Sequence, residues 1–114
     1  MTARPPKDGP ELRELRERID KLDRRIVELL NERAELVIAA GREKAKLGRR
    51  GIRDARRERE VLLRVSIAND GPIPQADLIA LYRRLIATSR ELEAHDRRRR
   101  SADAEDPSAE PPSA

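Results

Sequence analysis

The sequence predicts an all-α fold of three helices, the first of them very long and built to be shared with a second copy. Three observations predict it. Apolar residues recur at alternating steps of three and four through most of the chain, the period of a helix rather than of a strand. About 42% of the 114 residues are charged and one Tyr is the sole aromatic residue, so the core must be Leu, Ile, Val and Ala. Between the tails, apart from Gly41 and Pro74, the glycines and prolines fall in two clusters, Gly48-Arg49-Arg50-Gly51 and Asn69-Asp70-Gly71-Pro72.

Residues 1–10 contain three prolines and one glycine and are expected to be a disordered tail. Pro10 suits a first helical turn, and Glu11 and Glu14 follow near the positive end of the helix dipole. The first helix then runs from Glu11 to about Leu47. Leu12, Leu15, Ile19, Leu22, Ile26, Leu29, Leu36, Ala40 and Leu47 share one face of it. At 1.5 Å per residue such a helix measures roughly 55 Å. A compact domain of this size has a radius of gyration of only about 13–14 Å. One chain cannot cover that seam, so a homodimer is expected. Opposite charges three or four apart, such as Glu14 with Arg18 and Arg24 with Glu28, lace the solvent face.

Asp54 is a good N-cap for a second helix over Ala55–Ala68, with Val61, Leu62 and Val65 turned inward. Pro74 opens a third helix to about Arg97, whose buried stripe is Leu78, Leu81, Tyr82, Leu85, Ile86 and Leu92. Ser89 and Glu93 extend that stripe, so two polar groups face inward. The folded domain spans 11–100. From about Ser101 the chain is rich in Ser, Ala, Pro and acid, and 101–114 is expected to be a disordered acidic tail.

Composition excludes several chemistries. There is no cysteine, hence no disulfide or thiolate site, and a lone histidine precludes a multi-histidine metal centre. The N-terminus has no apolar core of a signal peptide and no 18-residue apolar run exists, so the cytoplasm is the expected compartment. A net charge of +4 favours an anionic partner. Single-strand nucleic-acid binding normally uses aromatic platforms, which are missing, and the basic run Arg97–Arg100 is followed by acids. Nucleic acid and membrane are therefore not the expected partners.

Polar groups at inward or boundary positions suggest a binding site. Arg33 takes the register slot of Ile19 and Ile26, and Lys44 lies eleven residues on, rotated by only about 20°. A cation in an apolar stripe needs an acidic partner or an anionic ligand. Asp54, Arg57 and Glu58 open the second helix. Arg16 lies 17 residues before Arg33, about 25 Å away along the helix. One chain cannot aim both at a single small ligand, whereas two antiparallel helices can. No nucleophile–base pair, phosphate loop or carboxylate cage is present. Such a set suits a compact dianion and catalysis by positioning and electrostatics. Each residue alone also fits a plainer role: an ion pair at the edge of the core, a helix cap, or a solvated face.

The run L-R-E-R-I-D-K-L-D-R-R-I-V-E-L-L-N-E-R-A-E-L over Leu15–Leu36 resembles the opening helix of the all-helical chorismate mutases. G-R-E-K at Gly41–Lys44, I-R-D-A-R-R-E-R-E at Ile52–Glu60 and L-I-x-x-S-x-x-x-E ending at Glu93 follow in the same order. The resemblance covers about residues 12–96. It implies an intertwined homodimer with two pockets built from both subunits. The reaction it implies is the Claisen rearrangement of chorismate to prephenate in aromatic amino acid biosynthesis, without cofactor or metal. By the same resemblance, Arg16 of one copy and Arg33 of the other grip the substrate carboxylates. Lys44 binds a carboxylate and the ether oxygen, and Glu58 and the Asp54 backbone bind the ring hydroxyl. Arg57 supports the pyruvyl carboxylate, Ser89 contacts the ring carboxylate, and Glu93 donates to the ether oxygen. Some members have Gln at that last place. Two alternatives stand beside this reading: a same-fold enzyme acting on isochorismate or aminodeoxychorismate, and a non-enzymatic basic helical protein that binds a protein or nucleic acid.

Overall fold

The computed structural model describes residues 9–49 and 54–105. It contains three helices, α1 (Pro10–Lys46), α2 (Ala55–Ala68) and α3 (Gln75–Glu105), and no strand among the described residues. The disordered tail expected over 1–10 lies outside the described residues as far as residue 8, and Pro10 is already helical. Two compact units divide the chain, one through Glu35 and the other from Leu36.

The first unit contains most of α1. Its seam residues are uncovered: Leu12, Leu15, Ile19, Leu22, Ile26 and Leu29 are 40–62% exposed. On the polar face Glu28 takes Arg25 at 3.2 Å, a pair three residues apart that stabilises a helix only slightly.

In the second unit α2 and α3 pack against each other. They run antiparallel: Gln75 Nε2 at the start of α3 donates to the Ser66 carbonyl near the end of α2 (2.9 Å), and Arg90 reaches Glu58 at the start of α2. Asn69 ties the turn between them, donating to the Ile73 carbonyl at 3.0 Å and to Gln75 Oε1 at 2.7 Å. Ile86, at 8% exposure, is the one buried apolar residue among those described. Leu78, Tyr82, Leu85 and Leu92 are half-buried, as are Val61, Leu62 and Val65. A chain this rich in leucine with so little buried has not finished burying its apolar surface.

Two expectations for α3 need correction. Leu81 is 63% exposed rather than part of the buried stripe. At 100° per residue it sits about 80° from the stripe's centre near Ser89, at its rim. The helix also runs to Glu105, so the segment 101–105 is not tail. That stretch, Ser-Ala-Asp-Ala-Glu, contains no proline and two alanines, and nothing in it stops a helix. The remainder of the expected acidic tail lies outside the described residues.

Candidate active site

The geometry starts with how α1 ends. Gly48 takes φ of 74°, a left-handed conformation that glycine adopts without strain. Its N–H donates to the Ala45 carbonyl (3.0 Å), and Arg49 N–H donates to the Lys44 carbonyl (2.9 Å). These two bonds form a Schellman cap. The backbone of Lys44 is therefore fixed from its own helix end. Across the loop, Arg49 donates to Asp54 at 3.1 Å. Asp54 caps α2, accepting the Arg57 N–H at 2.9 Å. That backbone bond is the main reason its carboxyl lies below the usual aspartate range, and the charges of Arg49 and Lys44 add to it.

Lys44 and Glu93 meet. The ammonium lies 2.7 Å from Glu93 Oε1, with the two side chains 29% and 16% exposed. An ammonium carries three donors, so this contact leaves donors over for a ligand. Next to this pair, Arg42 forms a two-pronged bridge to Asp96, Nε to Oδ2 at 3.1 Å and Nη2 to Oδ1 at 2.8 Å. The Arg42 hydrogen bond holds the Asp96 carboxyl below its ordinary value, with help from the charges of Arg42, Arg100 and Arg99. The same pairing raises Arg42. A carboxyl whose folded value is depressed stabilises the fold above its unfolded value, and that stability is lost as pH falls through the folded value. Asp96→Ala should therefore lower Tm by a few degrees at pH 7, and the gap to the parent should close as the solution is acidified below the aspartate range. Thermal melts over pH 2.5–7 check it; a gap that stays constant with pH would contradict it.

Of the sequence-derived site residues, the structure brings Lys44, Glu93 and Asp54 into one neighbourhood. Glu58 has been claimed within the chain: Arg90 Nη1 donates to its Oε1 at 2.6 Å, joining α2 to α3. Ser89 Oγ donates back to the Leu85 carbonyl at 2.9 Å, a bond within its own helix. Arg57 is half exposed and turned toward Glu60, 3.9 Å away, so its side chain lies on the solvent face. The Asp54 carbonyl accepts the Glu58 N–H at 3.0 Å, the first bond of α2. Arg16 and Arg33 belong to the first unit, Arg16 exposed and Arg33 half-buried, and both make interactions within the chain. The sequence gives no local mark of Arg42, Arg90 and Asp96 as partners in this cluster. Their pairings join residues 54 and 32 positions apart, and helical periodicity gives no signal at that range.

A cavity of about 740 Å³ opens beside this cluster rather than on it, lined by Ala45, Ala94, Arg97, Arg98 and Arg100 among others. Among the described residues no group of three His, Asp or Glu side chains could hold a metal ion. No described helix is long and apolar enough to cross a membrane.

The sequence model of the family described as "Chorismate mutase type II" matches residues 15–94. A "Bifunctional chorismate mutase/prephenate dehydratase" of Aquifex aeolicus (strain VF5) is 39% identical over 87 residues, covering 73% of this chain and 24% of that protein. The chain thus spans about a quarter of the length of the curated relative it matches.

Proposed function

The chain belongs to the chorismate mutase type II family, and from that premise we propose that it converts chorismate to prephenate in the cytoplasm, as a step of aromatic amino acid biosynthesis. The observation that supports the reading best is the Lys44–Glu93 pair at 2.7 Å, both side chains largely shielded from water. In the rearrangement the carbon–oxygen ether bond breaks while a carbon–carbon bond forms. Negative charge grows on the ether oxygen as it parts. Donors aimed there bind the transition state more tightly than the ground state, which is what accelerates a reaction. Lys44 is such a donor. Glu93 becomes one when protonated. No proton, electron or leaving group has to be exchanged with the protein, which fits a site without a nucleophile.

In this reading Arg33 and Arg16 of a second copy bind the two substrate carboxylates, Arg57 and Ser89 assist them, and Glu58 with the Asp54 backbone takes the ring hydroxyl. Glu58 would then exchange part of its bond to Arg90 for one to substrate. The second copy is supported by the open seam of α1, where Leu12, Leu15, Ile19, Leu22, Ile26 and Leu29 stand 40–62% exposed. Sedimentation at micromolar concentration should give about twice the 13.0 kDa chain mass. A folded, active monomer would contradict the shared pocket.

The substrate is tested by supplying chorismate, isochorismate and aminodeoxychorismate separately and following the loss of each absorbance. Chorismate alone should be consumed quickly. Preferential loss of either analogue would assign the fold to another reaction, and loss of none would remove the enzymatic reading.

A further inference from the structure

Gly41 lies inside α1, where glycine destabilises a helix relative to alanine. Its backbone does not call for glycine: among the described residues the positive φ belongs to Gly48. The space does. A Cβ on residue 41 would stand 3.2 Å from Glu93 Cγ, 3.4 Å from Glu93 Oε1 and 3.5 Å from Glu93 Cδ. Relaxed carbon–carbon contacts sit at about 3.5–4.0 Å. All three close atoms belong to one side chain, and its Oε1 is the oxygen that takes Lys44 at 2.7 Å. Gly41 and Lys44 are three residues apart on the same helix face. The bare backbone at 41 thus lets the Glu93 methylenes lie flat against α1, which brings the carboxyl to the lysine.

We propose that Gly41 is a positioning residue, whose missing side chain sets the place of the Glu93 carboxyl beside Lys44. Its catalytic consequence rests on the chorismate mutase reading, while the contact itself does not. Glu93 cannot move aside freely. Arg42 and Asp96 flank the pair and fix α1 to α3 on that side. A methyl group at 41 pushes the Glu93 chain outward by a few tenths of an ångström or into another rotamer, and the carboxyl at its end moves further.

The test is a double-mutant cycle with Gly41→Ala and Glu93→Ala, each variant and the double variant measured for kcat, KM and Tm. In the parent, Gly41→Ala should lower kcat about tenfold or more with a smaller change in KM, because a displaced Glu93 carboxyl draws the Lys44 ammonium, its partner at 2.7 Å, away from the ether oxygen. In the Glu93→Ala background the same change should cost no further activity. Melting points should show the reverse pattern. With Glu93 removed, Gly41→Ala should raise Tm by several degrees through helix propensity alone; with Glu93 present, the close contact should cancel most of that gain. Equal fractional losses of kcat in both backgrounds, or an equal rise of Tm in both, would overturn the proposal. Should Gly41→Ala fail to fold, the double variant should still fold; a double variant that also fails overturns it. A parent protein inert toward chorismate removes the reading of function and leaves the Tm cycle to decide the contact.

Discussion

Arg16→Ala and Arg33→Ala should each be nearly inactive as homodimers, and a one-to-one co-refolded mixture of the two should regain about a quarter of the wild-type activity. The reason is helix geometry. Both residues lie on α1, 17 positions apart, which is about 25 Å along the axis and far more than a small dianion spans. In one chain they cannot reach the same molecule. In a dimer with antiparallel first helices, Arg16 of one copy meets the site of Arg33 in the other. Losing a charged donor from a shielded site costs about a hundredfold or more in rate. In a mixed dimer one site inherits both substitutions and the other inherits neither. Half of the dimers in a random mixture are mixed, and half of their sites are intact. Both arginines already have interactions within the chain, so their substitution also removes local contacts. The mixing experiment separates this from catalysis, because damage to the fold is not repaired by redistributing subunits. Mixtures as inert as their parents would place the two arginines in no shared site.

The second large effect concerns Lys44 and Glu93, whose charged atoms lie 2.7 Å apart in the free chain. Lys44→Ala removes a charged donor, and kcat should fall by about 10²–10³. Glu93 behaves differently. As a carboxylate it presents a lone pair to the oxygen on which charge is growing, whereas a glutamine in its place presents an N–H donor. Glu93→Gln should therefore raise kcat/KM at pH 8, while Glu93→Ala should lower it. A Gln variant no faster than the parent at pH 8 would take Glu93 away from the ether oxygen.

The parts of the fold legible in the sequence are those dictated by neighbours in the chain. Asp54 announces the start of α2 because a cap and the N–H it accepts are three residues apart. Gly48 announces the end of α1 for the same local reason. Composition averaged over 101–114 hides the end of α3, because the prolines of that segment begin only at Pro107. Three-residue spacing from Leu78 puts Leu81 within reach of the inward stripe. Spacing does not say where the stripe ends, and only the neighbouring helix decides that. The site divides in the same way. Lys44 and Glu93 were visible as misplaced polar groups on apolar faces, and their faces do meet. Arg42–Asp96, Arg90–Glu58 and the close approach of Gly41 to Glu93 were not visible, since each depends on α3 folding back on an element more than 30 residues earlier. The roles proposed for the Asp54 backbone and Glu58 rest on family resemblance alone, because a first-turn acid has the same local signature whether it caps a helix or binds a hydroxyl.

The most direct measurement follows chorismate itself by proton NMR in the presence of the purified wild-type chain and, separately, its Lys44→Ala variant, with a metal chelator in both samples. The vinyl ether signals should give way to those of prephenate at an enzymatic rate with the wild type, unhindered by the chelator, and slow by about 10²–10³ with the variant. Chorismate left intact by the wild type, a product other than prephenate, or equal rates for the two proteins would contradict the assignment.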